Sequence, residues 1–314
     1  MMTGCGSSQI GKTDGKLSIV CTVFPQYDWL REIIGSNPGN IELTFLLDTG
    51  ADLHSYQPTV ADIVTINNSD MFVYIGGESD KWVDDVLKTA TEEINAVDLM
   101  KSLGSAAKLE SDEGIMEDHE HEEAHDHDEA GEQTEYDEHI WLSLKNAVTL
   151  CGVLTEELCR LDAANAEAYR ANNKTYCEKL SALDKDFTNY VSGAKVKTIV
   201  CADRFPFMYL FEDYGLSYFA AFSGCSAESE ASFSTVTGLA KKVDEYGLKF
   251  IFQTEKPLAA DIAKTVIEST DSKDQKILTL DSIQSVTAAD AADGKTYYTV
   301  MEQNINTLKE GLEG

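Results

Sequence analysis

Short apolar runs alternate with amphipathic stretches along most of the chain. Near the start, the β-rich run LSIVCTVF is followed by QYDWLREIIG, whose apolar spacing predicts a helix that ends at Gly35. The same order recurs in IELTFLL, VADIVTINNSD, MFVYIGG, WVDDVLKTATEEI and INAVDL. Strands that alternate with helices predict a parallel sheet with helices on its faces.

A long helical region follows from Leu142 to about Tyr190, where no proline occurs and apolar residues recur at spacings of three and four. Its second half is polar over much of its surface, as expected for a rigid helix between two lobes. Beyond it the alternation resumes, and VKTIVCADRFP repeats the pattern of KLSIVCTVFP. We therefore predict two similar parallel-sheet α/β lobes, at 17–161 and 193–314, joined by one rigid linker helix at 162–192.

The charge of the chain restricts its partners. A formal net charge of -30 disfavours nucleic acid and anionic lipid surfaces and favours cations. Half of that charge lies between Glu110 and Glu138, which hold fifteen acidic residues and no lysine or arginine. The rest of the chain is an ordinary acidic protein.

Four of the six histidines lie inside this acidic stretch, at His119, His121, His125 and His127 in EDHEHEEAHDHDEA. The segment has no apolar residues with which to form a core, so we expect a mobile loop. Imidazole and carboxylate together suit zinc and related metals. We therefore interpret the stretch as an auxiliary metal-collecting loop rather than as a plain solvated charge run.

The other two histidines are isolated. His54 follows a predicted strand in a turn, DTGADLHSYQPTVADI, at the edge of a parallel sheet where ligands of α/β folds collect. His139 lies in YDEHIWLSLKNA, just ahead of the long helical region. On these residues alone, a loop histidine and a histidine packed against Trp141 would explain the pattern equally well.

The chain begins MMTGCGSS, in which the four residues M-T-G-C are similar to the tail of a lipobox. We therefore expect lipidation of Cys5, and a flexible tether over 1–16, because the residues after Cys5 are polar and rich in glycine and serine. No run of apolar residues approaches the 18 or so that a transmembrane helix needs, so membrane attachment is expected only through lipid. The remaining cysteines form no C-x-x-C pair and are interpreted mainly as small buried side chains.

Both isolated histidines lie in sequences that resemble one family. The stretches ADLHSYQPTVADI and DEHIWLSLKNA look like those that carry the first and second metal-binding histidines of the zinc and manganese solute-binding proteins of ABC importers. TVFPQYDWLREIIG, FVYIGGESDKWVDDVL and GKTYYTVMEQNINTLKEGL resemble the start, second strand and helix, and final helix of the same family. An acidic His-rich loop before the second histidine is typical of its zinc-specific members.

The resemblance implies a ligand cleft between two lobes. His54 and His139 would bind the metal from the first lobe, and a fourth ligand of the family falls on Asp281. Arg204 takes the place of the third ligand, although a guanidinium cannot bind a metal. We predict that Asp203 contributes instead; Cys201, Glu228 or water remain alternatives, as does an ion pair of Arg204 with a carboxylate such as Asp281.

The resemblance further implies an extracytoplasmic, membrane-anchored lipoprotein that binds Zn²⁺ as a monomer and delivers it to an ABC permease. A manganese or iron cargo is the alternative within the family. The pattern H-E-x-x-H occurs only as HEEAH inside the stretch expected to be a mobile loop, and the P-loop pattern only as GSSQIGKT inside the expected tether, so neither lies on a predicted helix or strand-to-helix turn. No G-x-S-x-G or G-x-G-x-x-G motif is present. An enzyme is therefore not expected, and a zinc metallohydrolase is the weaker alternative. A surface metal buffer without a transporter would need only the loop.

Overall fold

The computed structural model describes residues 16–36, 41–90, 94–116, 135–226, 230–257 and 261–313. The strands in these ranges are Leu17–Cys21 (β1), Ile41–Phe45 (β2), Met71–Tyr74 (β3), Asn95–Asp98 (β4), Thr198–Phe205 (β5), Ser217–Ser223 (β6), Phe250–Thr254 (β7) and Lys276–Leu280 (β8). The α-helices are Phe24–Ile34 (α1), Val60–Asn67 (α2), Trp82–Thr89 (α3), Leu99–Leu103 (α4), Leu144–Leu161 (α5), Ala166–Gly193 (α6), Met208–Tyr214 (α7), Phe233–Tyr246 (α8), Ile262–Ser269 (α9), Ala288–Ala292 (α10) and Tyr297–Leu312 (α11).

The strands form two parallel sheets with the same arrangement. The first has the order β2-β1-β3-β4 and the second the order β6-β5-β7-β8. In both, the first strand of the lobe lies inside the sheet and the next strand along the chain lies at its edge. The predicted fold class, two similar parallel-sheet α/β lobes joined by a long helix, is confirmed. The boundaries assigned to the lobes stay a prediction.

The first strand and helix follow the sequence pattern closely. Strand β1 is buried towards its carboxyl end, and α1 buries Trp29, Leu30 and Ile33 against the sheet. The helix ends where the sequence predicts, because Gly35 adopts a φ of 76° and its N–H bonds to the carbonyl of Arg31.

The long helical region is divided into two helices that fold back on each other. The break follows α5 at Asp162, whose carboxylate accepts hydrogen bonds from Asn165 and from Tyr169 on α6. Arg170 then forms an ion pair with Glu156, which places the start of α6 beside the end of α5. The buried side of α6 has helical spacing: Tyr169, Tyr176, Leu180, Leu183, Phe187 and Val191.

The two lobes share part of their core. The largest cluster of buried side chains runs from β1 through α5 and α6 to the final helix α11. Trp29 on α1 packs edge-on against Tyr297 on α11 with ring centroids 5.2 Å apart, and the Tyr297 hydroxyl donates to the carbonyl of Trp141 at 2.6 Å. The final helix therefore returns to the first lobe. Within the described ranges, no helix combines the length and apolarity needed to cross a membrane.

Candidate metal centre

The two isolated histidines meet in the cleft between the lobes. The Nε2 atoms of His54 and His139 are 3.2 Å apart, although 85 positions separate the residues in sequence. His139 is fully buried, and 15% of the His54 side chain is exposed. The structure thus brings together the two histidines that the sequence singled out.

Each histidine is held by a short turn. His54 lies in the 3-10 turn Leu53–Ser55 beyond β2, and its backbone N–H donates to the Asp52 carboxylate at 2.9 Å. His139 directly precedes the 3-10 turn Ile140–Leu142 that leads into α5. Because both backbones are fixed by hydrogen bonds or burial, the two rings have little freedom to separate.

The other ring nitrogen of His54 faces a carboxylate and a hydroxyl. Its Nδ1 lies 3.0 Å from Ser79 Oγ and 3.3 Å from Glu138 Oε2. Ser79 donates its own hydroxyl hydrogen to Glu138. Burial would raise the pKa of Glu138, but hydrogen bonds from His54 and Ser79 hold it below its usual value. Glu138 is therefore an acceptor, and the hydrogen of the neutral His54 ring lies on Nδ1.

Glu138 reaches this position because a glycine leaves room for it. Gly77, in the turn after β3, has a φ of 86°, and a Cβ atom there would lie 2.5 Å from Glu138 Oε1. A side chain at this position would therefore displace the carboxylate that supports His54.

His139 has a carboxylate of its own. Asp137 Oδ1 accepts the backbone N–H of His139 at 2.7 Å and lies 2.9 Å from His139 Nδ1. Tyr209 of the second lobe donates its hydroxyl to the Asp137 carbonyl at 3.0 Å, which anchors this segment to α7. Because the Asp137 carboxylate accepts at His139 Nδ1, the hydrogen of the neutral His139 ring also lies on Nδ1.

These tautomers leave two lone pairs facing each other. With both Nδ1 atoms protonated, the two Nε2 atoms are acceptors only 3.2 Å apart, which is repulsive unless a proton or a cation lies between them. A carboxylate that holds the far nitrogen of a histidine is the usual support of a metal-binding imidazole. The geometry fits a divalent cation that accepts both lone pairs.

A cysteine of the second lobe completes the group. The ligand atoms of His54, His139 and Cys225 all lie within 4.8 Å of one another. Cys225 follows the carboxyl end of β6 by two residues, and it was not among the ligands predicted from the sequence. Burial and the nearby charges of Glu110 and Asp137 raise the pKa of its thiol, so a metal must displace the proton to bind.

Arg204 does not point at the histidines. Its guanidinium forms an ion pair with Asp52 at 3.1 Å, which joins the two lobes beside the turn that carries His54. Burial would raise the pKa of Asp52, but the His54 backbone and the positive charge of Arg204 hold it below its usual value. The predicted pairing of Arg204 with a carboxylate is present, with Asp52 rather than Asp281 as its partner.

The structure does not bring Asp203 or Asp281 into the group. Asp203 is buried, and it accepts the N–H of Arg204 on one oxygen and both the N–H and the hydroxyl of Thr254 on the other. Asp281 forms an ion pair with Lys295 at 2.7 Å, and its second oxygen accepts the N–H of Ile283. Both carboxylates are thus engaged in holding loops of the second lobe.

The alternatives to these aspartates are also located in part. Cys201 is buried on β5, where its thiol contacts the carbonyl of Arg204, and it is not one of the three grouped ligands. Glu228 lies outside the described residues, as do Cys5 and the four loop histidines, His119, His121, His125 and His127.

The mouth of the centre is acidic. A pocket beside His54 and Cys225 is lined by Glu78, Glu135 and Glu138. Glu135 is the first described residue after the His-rich stretch. Carboxylates at an entrance raise the local concentration of cations.

Comparison with known proteins decides the family. Residues 19–311 match the family model described as zinc-uptake complex component A, periplasmic (ZnuA). The chain belongs to this family. Membership confirms the resemblance that the sequence around the two histidines indicated. The proteins of this family are components of zinc uptake rather than enzymes.

Two curated relatives illustrate the match. The zinc-binding protein AdcA of Streptococcus pyogenes serotype M3 is 32% identical over 302 residues, which are 94% of this chain and 56% of AdcA. The chain therefore spans about half the length (56%) of the AdcA relatives that it matches. The high-affinity zinc uptake system protein ZnuA of Bacillus subtilis is 30% identical over 316 residues, which are 99% of this chain and 94% of ZnuA.

A solved structure shows the same architecture. The Zn(II)-bound ZnuA-like domain of Streptococcus pneumoniae AdcA has a TM-score of 0.73 and 26% identity, and the match covers 96% of this chain and 100% of that domain.

Proposed function

We propose that this chain binds Zn²⁺ outside the cytoplasm and delivers it to the permease of an ABC importer. The observation that carries the proposal is the pair of Nε2 atoms of His54 and His139, which face each other at 3.2 Å. Both rings are held through Nδ1 by carboxylates, which leaves both Nε2 lone pairs free for one ion. No bond of the cargo is made or broken beyond coordination.

Zinc is the proposed cargo for two reasons. Imidazole is a preferred ligand of zinc, whereas manganese favours carboxylate and carbonyl oxygen. The names of the relatives point the same way, since AdcA is called a zinc-binding protein and the Bacillus subtilis ZnuA a high-affinity zinc uptake system protein. Manganese or iron remains the alternative cargo.

Location and assembly belong to the same proposal. AdcA of Streptococcus pneumoniae is named a zinc-binding lipoprotein, and the residues around Cys5 resemble a lipobox. We infer that a lipid on Cys5 holds a monomer at the outer face of the membrane, where the His-rich stretch collects zinc near the acidic mouth. The net charge of -30 supports cations, rather than nucleic acid, as binding partners.

Zinc binding is tested by competition with a chelator of known affinity. The full chain should bind one zinc ion with much higher affinity than any other. Further zinc ions should bind to the His-rich stretch with lower affinity. A chain that binds zinc only weakly, at sites spread over the His-rich stretch, would contradict the proposal and support a surface metal buffer.

Delivery is tested with the permease and ATPase in proteoliposomes. Zinc accumulation inside should require the zinc-loaded chain, and free zinc at the same concentration should not replace it. Equal uptake with and without the chain would contradict the delivery role.

The lipid anchor and the oligomeric state are tested separately. Cys5→Ala should release the protein from membranes, and light scattering should report one chain per particle.

A further inference from the structure

We propose that the thiolate of Cys225 is the ligand that the second lobe supplies to the metal, and that it biases the site towards Zn²⁺ over Mn²⁺. The inference rests on the proposed function, since it concerns the same ion between His54 and His139. It assigns a His₂Cys set in place of the carboxylates that the sequence suggested.

The spacing of the atoms suits one tetrahedral ion. Zinc binds nitrogen at about 2.0–2.1 Å and sulfur at about 2.3 Å, so neighbouring ligands of a tetrahedral ion lie roughly 3.3–3.8 Å apart. The two Nε2 atoms already lie 3.2 Å apart, and the Cys225 sulfur lies within 4.8 Å of a ring nitrogen of each histidine. If the Cys225 side chain moves slightly towards the histidines, the three side chains occupy three of the four coordination positions of a tetrahedral zinc ion. Water can occupy the fourth position.

The backbone of the second lobe is built to approach the first lobe at this point. A Cβ atom on Gly224 would lie 3.1 Å from the Cε1 atom of His139 and 3.1 Å from the Cα atom of Pro206. A Cβ atom here would be crowded from both sides, so the glycine allows this close approach and brings the next residue, Cys225, to the histidines. The backbone N–H of Cys225 is also held by the Glu110 carboxylate of the first lobe.

The other candidates of the second lobe have other partners. Arg204 is paired with Asp52, and the oxygens of Asp203 accept hydrogen bonds from Arg204 and Thr254. Asp281 is paired with Lys295. Among the residues with described positions, Cys225 is the second-lobe side chain that is grouped with both histidines as a possible metal ligand.

A thiolate also changes which ion the site prefers. Soft sulfur favours zinc, whereas manganese prefers hard oxygen ligands. In a site with two imidazoles, exchanging a carboxylate for a thiolate therefore separates the affinities for the two ions. The bound sulfur distinguishes this centre from a His₂-carboxylate site in a way that spectroscopy can detect.

The first test is X-ray absorption at the zinc edge on the full chain with one equivalent of zinc. Wild type should show a sulfur shell at about 2.3 Å beside nitrogen and oxygen at about 2.0–2.1 Å. Cys225→Ser should lose the sulfur shell. Cys177→Ser, which removes a half-buried thiol on α6, is the matched control and should keep it.

The outcomes separate the two proposals. Tight zinc binding with nitrogen and oxygen neighbours alone in wild type would overturn the role of Cys225 and leave the proposed function intact. Absence of tight zinc binding would overturn the proposed function itself. Because this measurement is made on wild type, misfolding of a variant cannot decide it.

The second test measures preference by competition between zinc and manganese. Cys225→Ser should lower zinc affinity by at least about a hundredfold, since loss of a group that merely holds a ligand already costs 10–100-fold. Cys225→Asp should shift the zinc-to-manganese ratio towards manganese by more than tenfold. An unchanged ratio in Cys225→Asp would show that the thiolate does not set the preference.

Discussion

The two lobes have the same strand order but contribute to the metal centre in different ways. The first lobe provides two histidines, each held through Nδ1 by a carboxylate, Glu138 or Asp137. The second lobe has an arginine at the position where the family resemblance places a ligand, and it presents Cys225 from the loop after its edge strand β6.

The difference shows which part of a binding site the fold determines. Parallel strands bring their carboxyl ends to one edge, so both lobes must place loops at the cleft. The fold does not decide which loop carries the ligand. In the second lobe, Arg204 instead joins the lobes through Asp52, and the ligand position moves to the neighbouring loop.

The largest effect is expected from the histidines of the first lobe. His139→Ala and His54→Ala should each lower zinc affinity by more than about a hundredfold, because each removes a ligand rather than only its support. Competition against a zinc chelator measures the loss. His127→Ala, in the His-rich stretch, is the matched control and should leave the tight site unchanged. If both variants kept the zinc affinity of wild type, His54 and His139 would not be ligands of the tight site.

The supports of those histidines come next. Asp137→Asn should weaken zinc binding by about 10–100-fold, because it removes the charge that orients His139 and raises its basicity. Asp112→Asn removes an acidic group of the same lobe that the site does not use, and should have little effect. A loss no greater in Asp137→Asn than in Asp112→Asn would show that general acidity, rather than orientation, drives binding.

A smaller effect is expected from the arginine of the second lobe. Arg204 and Asp52 are 22% and 33% exposed, and ion pairs with this much solvent contribute roughly 0.2–1 kcal/mol. Arg204→Gln should therefore lower the free energy of unfolding by less than about 1 kcal/mol and change zinc affinity by less than tenfold. Denaturant unfolding and titration measure both.

The control for that variant is Arg170→Gln, which removes an ion pair between α5 and α6 away from the cleft. A tightening of zinc binding by far more than tenfold in Arg204→Gln would mean that the guanidinium opposes the ion, contrary to its pairing with Asp52.

The smallest effect on the tight site should come from the His-rich stretch. Deleting Glu117 to Gly131 should lower the number of zinc ions bound while leaving the tightest affinity unchanged, because the tight site uses His54, His139 and Cys225. Calorimetric titration counts the ions. A version of full length with serine at the four histidines of this stretch controls for the change in length. Loss of the tightest site would make the stretch a main source of ligands.

Sequence reasoning was most successful where the signal is local. The alternation of strands and helices, the end of α1 at Gly35 and the long α6 follow from apolar spacing and a single glycine. His54 and His139 stood out because they lie in turns with a family pattern. The start of the linker helix was placed at 162, close to the observed break, but the change of direction between α5 and α6 was not predicted, because it depends on hydrogen bonds of Asp162 that spacing does not reveal.

Cys225 could not be found in the same way. Its role depends on a tertiary contact, the close approach of Gly224 to the His139 ring, which has no signature within SGCSAES. The sequence offered only a weak hint, a glycine directly before a cysteine in the loop after a strand. Asp281 was favoured because the fourth ligand of the family falls on it, and Asp203 because it is next to Arg204, but carboxylates in such positions equally often hold loops and cap turns.

The central claim is that one zinc ion lies between the lobes and is bound by side chains of both. Crystals of the zinc-loaded full chain, measured at the zinc absorption edge, test it directly. The account predicts a strong anomalous peak about 2.0–2.1 Å from Nε2 of His54 and His139 and about 2.3 Å from the sulfur of Cys225. A peak bound only by first-lobe residues, or one centred on Asp203 and Asp281, would contradict it.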